Sequence, residues 1–176
     1  RLPTLPEKRC SVLLVDDARD SREMYAFFLR GWGYGVHEAI DGGDHRLGHL
    51  GHAADELADA MSLIWENEFP YTILGGGSNV LSSDKGFRGV VVLNRAKQVR
   101  FETGDQPAVW CEAGVVIANL AKRCASKGLS GLEWAATVPG TVGGAVYGNA
   151  GAFGGDMTHN LIWAELISRN GCERFS

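Results

Sequence analysis

The apolar positions of the chain fall into two repeating kinds of run. Short blocks without alternation, such as Ser11-Val12-Leu13-Leu14-Val15 and Gly89-Val90-Val91-Val92-Leu93, predict strands covered on both faces, as in a parallel sheet. Between them lie stretches with helical spacing. Asp20 and Glu23 have the form of a capping box, and Met24, Phe27 and Phe28 give the segment they open an apolar face that ends at Gly31 and Gly33. A second strand is predicted over 35–40, with a turn at Asp41-Gly42-Gly43. Leu57, Met61 and Ile64 then mark one face of a helix over 53–67, with Asp55 and Glu56 placed favourably in its first turn. Pro70 closes that helix, and Tyr71-Thr72-Ile73-Leu74 predicts a strand.

The second half continues the alternation. Strands are predicted at Val99-Arg100-Phe101 and Ala108-Val109-Trp110-Cys111-Glu112. A helix over 116–127 follows, with Ile117, Leu120, Ala121 and Cys124 on one face and Gly128 at its end. A last strand is expected over 162–168, then a turn at Asn170-Gly171. A further strand is expected where the chain stops.

Composition sharpens this picture at one residue type. Glycine occurs 24 times in 176 residues, with clusters over 75–89 and 128–155. No G-X-Y period accompanies them, so the glycines mark tight turns or close approach to a ligand. Net charge is -4 without a long basic run, which argues against a nucleic-acid partner. It does not exclude an anionic ligand, because backbone N–H groups hold phosphates without lysine or arginine. No apolar run reaches the ~20 residues of a membrane span, and no signal-peptide pattern opens the chain. Cys10, Cys111, Cys124 and Cys172 match no zinc or redox spacing; they read as free thiols, mostly in the core, of a cytoplasmic protein.

The chemistry concentrates in two loops. Leu74-Gly75-Gly76-Gly77-Ser78-Asn79 takes a strand straight into three glycines, offering converging N–H groups and two side-chain donors. It lacks the G-x-G-x-x-G spacing of dinucleotide folds and the Lys of a P-loop. About sixty residues later comes Val138-Pro139-Gly140-Thr141-Val142-Gly143-Gly144-Ala145. There, a short helix over 142–147 is expected to aim its N-terminus at a phosphate. Asn149-Ala150-Gly151-Ala152-Phe153-Gly154-Gly155 then lets a flat ring lie against main chain. The bland alternative is tight turns and helix packing.

The first loop with Asp84-Lys85-Gly86-Phe87-Arg88-Gly89-Val90-Val91 is similar to the flavin loop of UDP-N-acetylenolpyruvoylglucosamine reductases (UDP-N-acetylmuramate dehydrogenases). Glu112-Ala113-Gly114-Val115, Gly128-Leu129-Ser130-Gly131-Leu132-Glu133, the second loop and Asn149-Ala150-Gly151-Ala152-Phe153-Gly154 resemble the same family in order. The resemblance runs over about residues 53–170. It implies an α+β, vanillyl-alcohol-oxidase-type FAD-binding domain of two small subdomains, expected at 53–97 and 98–176, with FAD between them. By position, it places Leu74, Gly75, Gly76, Gly77, Ser78 and Asn79 in the first cofactor loop. Val138, Pro139, Gly140, Thr141, Gly143, Gly144 and Ala145 form the second. Gly114, Asn149, Gly151 and Ala152 line the nucleotide or flavin path. In that family NADPH reduces FAD, which then reduces the enolpyruvyl group of a UDP-sugar on the way to peptidoglycan.

Two departures accompany the resemblance. The family's Tyr-Arg pair, its Ser proton donor and its C-terminal Glu have no counterpart here, so no catalytic residue is carried over and turnover by this chain alone is not expected. Residues 11–42 instead resemble the opening of a response-regulator receiver domain, a flavodoxin-like β-α-β segment within 1–52: Val-Leu-Leu-Val-Asp-Asp, Asp-Ser-Arg-Glu-Met-Tyr-Ala-Phe-Phe-Leu and Gly-Tyr-Gly-Val-His-Glu-Ala-Ile-Asp-Gly. That resemblance implies Mg²⁺ on Asp16 and Asp17, though a polar strand end and helix cap explain the pair as well. The third receiver strand would be 71–74, and its phosphoacceptor would fall near Gly75, where no carboxylate stands. A composite chain follows, with a non-enzymatic receiver-like signalling or scaffold module as the alternative function. His45, His49 and His52 have helical spacing, but Gly48 and Gly51 interrupt it, and they read as linker. Trp134 reads as core, with the vicinity of the flavin as the other option.

Overall fold

The computed structural model describes residues 11–15, 35–39, 52–82 and 86–176, with side chains from residue 57 onward. The chain divides into two compact units, Arg1–Leu74 with Val80–Arg95, and Gly75–Asn79 with Ala96–Ser176.

The first unit holds a parallel sheet. Its strands are β1 (Ser11–Val15), β2 (Gly35–Ala39), β3 (Tyr71–Leu74) and β4 (Val90–Asn94), in the order β2-β1-β4-β3. Ser11 pairs with both Gly35 and Val90, and Tyr71 also pairs with Val90. Segments 1–52 and 53–97, separated in the sequence reading, therefore share one hydrogen-bonded ladder. The neighbour of β1 is β4, not the strand 71–74 that a receiver reading puts third. The capping box at Asp20, the Asp16-Asp17 pair, His45 and His49 lie outside the described residues; His52 opens the next helix.

Helix α1 (His52–Glu66) carries the predicted face. Met61 and Ile64 are fully buried against Val90 and Val92, with Leu57, Trp65 and Phe69 packed around them. Each such burial contributes roughly 1.5–3 kcal/mol. The helix ends without glycine. Glu68 takes φ 53°, its N–H bonds Trp65 O at 3.2 Å and Phe69 N–H bonds Ile64 O at 3.1 Å. This is a Schellman closure in which a glutamate takes the left-handed position, held there by Phe69 returning onto the core. Tyr71, on the strand that follows, meets the Trp65 ring edge-on at 6.5 Å.

The second unit is built on helix α2 (Ile117–Ser126). The predicted face is the buried one: Ile117, Leu120, Ala121 and Cys124. Val115, Leu120 and Cys124 pack against the hairpin of β5 (Val99–Glu102) and β6 (Ala108–Cys111). Ile117 and Ala121 pack with Trp134 and Ala135 of a 3₁₀ turn (Glu133–Thr137), with Ala145, and with Met157. Gly128, φ 75°, closes α2 as expected: its N–H bonds Ala125 O and Leu129 N–H bonds Cys124 O, both at 3.0 Å. Three short elements follow, α3 (Val142–Tyr147), β7 (Gly151–Ala152) and β8 (Gly155–Asp156). The last hairpin is β9 (Ala164–Ser168) with β10 (Gly171–Phe175). The strand expected where the chain stops is thus β10, inside the chain; Arg174 ties it to β9 through Glu165 at 2.7 Å.

Of the thiols, Cys124 is buried, Cys111 half-buried and Cys172 exposed, so the core expectation fails for Cys172; Cys10 lies outside the described residues. Burial, then Cys124, then Glu112 push the Cys111 thiol up to about 11, and burial also raises Cys124. Both stay protonated and inert at neutral pH. Among the described residues, no helix is long and apolar enough to cross a membrane, and no cluster of three or more His, Cys, Asp or Glu side chains has metal-site geometry.

Candidate functional site

The two glycine loops meet inside the second unit. A Cβ on Gly75 would stand 2.1 Å from Thr141 Oγ1, and one on Gly76 3.3 Å from Gly140 Cα. Gly140, φ 108°, approaches Ser78 so closely that a Cβ there would lie 2.6 Å from Ser78 Oγ. Gly77 turns the first loop with φ 67°, a left-handed conformation that only glycine adopts without strain. Main chain thus packs on main chain; bulk at Gly75 or Gly140 would push the loops apart, and at Gly76 it would shift them slightly.

The second loop is strapped to the residues that precede α2. Gly140 O accepts the Ile117 N–H at 3.1 Å, and Val142 N–H donates to Val115 O at 2.8 Å. Thr141 and Val116 form an antiparallel bridge between those bonds. Gly143 N–H donates to Ala113 O at 2.8 Å, and a Cβ on Gly143 would stand 2.7 Å from Ala113 Cβ. The N–H groups of the first two residues of α3 are committed to the protein, and the Gly143 backbone packs closely on Ala113. Gly114, in the turn closed by Val115 N–H on Glu112 O, is buried.

What remains open is a set of backbone donors. Among the described residues, no hydrogen bond engages the N–H groups of Gly76, Gly77, Ser78, Asn79, Thr141 or Gly144. Gly76, Gly77, Ser78, Asn79 and Gly144 are exposed. Unconsumed N–H groups beside bare glycine main chain are donors that an anion can take. A dinucleotide pyrophosphate fits that donor set, since its oxygens accept without needing a cation from the protein.

The other expected residues divide by role. Ala145 is buried, and Val138 and Ala152 pack against the same core. Pro139, exposed, leads into Gly140, and Leu74 is half-buried at the end of β3. Gly151 belongs to a two-residue hairpin whose turn residues Phe153 and Gly154 have φ 52° and 84°, the twist of a type I′ turn. Asn149, φ 42°, is exposed. Trp134 is core: it is 6% exposed, its Nε1–H donates to Asn160 Oδ1 at 2.7 Å, and its ring fills the place of a Gly155 side chain. Sequence reasoning missed Asn160, Thr158 and the support role of Ala113. Each acts through a contact distant along the chain, and no local pattern announces it.

The turn after β8 is stapled by hydrogen bonds between Asp156 and His159. Asp156 Oδ1 accepts from the His159 ring at 2.6 Å and from its backbone N–H at 3.0 Å. The His159 side chain, then its backbone N–H, hold the Asp156 carboxyl below the usual range. A lowered folded value means stability present above the ordinary carboxylate range and lost as pH falls through the lowered one. The urea midpoint is therefore expected to drop on acidification below about pH 4, and Asp156→Asn to flatten that acid limb. Parallel acid limbs for the two proteins would contradict the assignment.

Residues 51–174 match the family model described as FAD binding domain. The match starts beyond residues 11–42 and gives no support to their receiver-like reading. The chain is similar to the UDP-N-acetylenolpyruvoylglucosamine reductases of Rubrobacter xylanophilus, 45% identical over 112 residues, and Alkaliphilus oremlandii, 40% over 121. Those alignments cover 64% and 69% of this chain but 37% and 40% of the relatives, so the chain spans about two fifths of their length. Among solved structures, it is similar to the UDP-N-acetylenolpyruvylglucosamine reductase of Thermus caldophilus, with TM-score 0.54, 31% identity, and coverage of 69% of this chain and 42% of that one.

Proposed function

The chain belongs to the FAD binding domain family, and from that premise we propose that it is the flavin-holding module of a UDP-N-acetylenolpyruvoylglucosamine reductase. The observation that carries the reading is the junction of the loops. Residues 75–79 and 140–144 lie together, and among the described residues the N–H groups of Gly76, Gly77, Ser78, Asn79 and Gly144 carry no internal bonds. The FAD pyrophosphate would rest on those groups. Gly76, Gly77 and Gly140 keep the approach clear, and Ser78 and Asn79 add side-chain donors. Bound FAD supplies a two-electron carrier, which NADPH would reduce and an enolpyruvyl UDP-sugar would reoxidise.

This chain's part is to bind and orient the cofactor. Hydride addition to an alkene leaves a carbanion equivalent that a proton donor must quench. No residue of this chain is assigned that step, so reduction of the UDP-sugar belongs to the whole enzyme. The vanillyl-alcohol-oxidase-type arrangement belongs to the same proposal. A cytoplasmic setting fits the unpaired Cys111, Cys124 and Cys172.

The test is a titration of the purified 176-residue protein with FAD, followed by flavin fluorescence and visible absorption. One equivalent is expected to bind with a perturbed flavin spectrum, and ADP is expected to compete. A colourless protein without FAD affinity sinks the proposal.

A further inference from the structure

Asn149 leaves α3 with its side chain already half engaged. Its Oδ1 accepts two hydrogen bonds from one residue, the Thr158 N–H at 3.0 Å and the Thr158 Oγ1–H at 2.8 Å. A carboxamide carries its acceptor and its two donors on opposite sides. With the oxygen claimed twice, the group cannot flip, and Nδ2 points away from Thr158. Among the described residues no acceptor takes that NH₂ group, and Asn149 is exposed.

Thr158 itself is held firmly. Met157, beside it, is buried at 6% exposure, and its N–H bonds Ala150 O at 3.0 Å. Two residues on, Asn160 accepts from Trp134 and bonds Met157 O through its N–H. Asp156 and His159 staple the turn from the other side. Exposed bonds of this kind contribute little to stability. Their structural effect is to aim one amide.

We propose that Thr158 is a positioning residue of the cofactor site, acting through Asn149, and that the Asn149 Nδ2 donates to an acceptor atom on the edge of a flat nucleotide ring. The proposal rests on the FAD reading and deepens it. The six residues of α3 rise about 9 Å. That sets Asn149 apart from the Thr141 junction on the scale that separates a dinucleotide's ring from its own pyrophosphate. Gly148 and Gly151 flank Asn149, and both are exposed, so a ring can lie close to the main chain. The shared chemistry is a carbonyl oxygen or ring nitrogen, which either end of FAD supplies: the flavin carbonyls or the adenine nitrogens.

The experiment measures FAD, FMN and ADP affinities for the wild type, Thr158→Val, Thr158→Ser and Asn149→Asp, each with its melting temperature. Thr158→Val keeps the backbone donor and removes the hydroxyl. It is expected to weaken FAD by about tenfold, the scale of one hydrogen bond, while melting like the wild type. Thr158→Ser is expected to restore affinity, and Asn149→Asp, which has no donor, to lose at least as much as Thr158→Val. The loss should appear with only one of FMN and ADP, which identifies the ring. Wild-type FAD affinity in Thr158→Val, or equal losses for FMN and ADP with a lowered melting temperature, overturns the proposal and leaves the cofactor reading intact. Failure of the wild type to bind FAD rejects both.

Discussion

Gly76→Asp is expected to lower FAD affinity by roughly two orders of magnitude while leaving the fold intact. Gly76 is exposed, and a Cβ there is nearest to Gly140 Cα, at 3.3 Å, with Gly140 C and Ser78 Oγ at 3.9 Å. An aspartate therefore enters with a slight shift of the loops, and its carboxylate stands among the N–H groups assigned to the pyrophosphate. One pair of like charges about 6 Å apart, at an effective dielectric near ~20, repels by about 3 kcal/mol, or roughly a hundredfold in affinity. Gly76→Ala isolates the steric part and should cost little. Gly76→Asn keeps the volume without the charge and should fall between them. Raising the salt concentration should recover part of the loss in Gly76→Asp alone. Fluorescence titration of the four proteins decides the matter; equal affinities would mean that the anion sits elsewhere. Gly143 makes an instructive contrast. A side chain there strikes Ala113, so its substitution should act by loosening the strap on the second loop.

Trp134→Ala is expected to cost the second unit about 3–5 kcal/mol. The indole is 6% exposed and packs with Ile117, Ala121, Ala135, Ala145 and Met157. For a unit of this size that is roughly 15 °C or more in melting temperature. It approaches the total stability of a marginal domain. The same core carries α2 and α3, whose starts hold the Gly140 and Gly143 contacts. FAD binding should therefore disappear with the fold and return on cooling. Trp134→Phe keeps most of the packing but leaves Asn160 Oδ1 without its donor, and should cost about 1–2 kcal/mol. Circular dichroism against urea measures both variants; a Trp134→Ala protein as stable as the wild type would show that this cluster is not the centre of the unit.

Much of this protein was determined by local sequence. The face Ile117, Leu120, Ala121 and Cys124 needed only helical spacing, because one stripe of a helix must leave water. Gly128 ended α2 for a backbone reason that acts within a few residues. The two loops were visible because glycine clustered at strand and helix boundaries has few purposes. The closure of α1 at Glu68 was not visible, since a glutamate carries no signal for left-handed backbone; the burial of Phe69 imposed it. The sheet order was not visible either. Each parallel run could pair with several others, and only the assembled unit set β4 between β1 and β3.

The loops show where the boundary falls. Sequence by itself determined that residues 75–79 and 138–145 would offer bare backbone, because glycine provides it wherever the chain goes. Only the tertiary structure decided which donors stay free. Val142 and Gly143 spend their N–H groups on Val115 and Ala113, and Gly76, Gly77 and Gly144 keep theirs. The same holds for Asn149, whose amide is aimed by Thr158 nine positions away. A hydrogen bond between distant residues leaves no periodic trace in a sequence. Donor type is a property of the residue, whereas donor availability is a property of the fold.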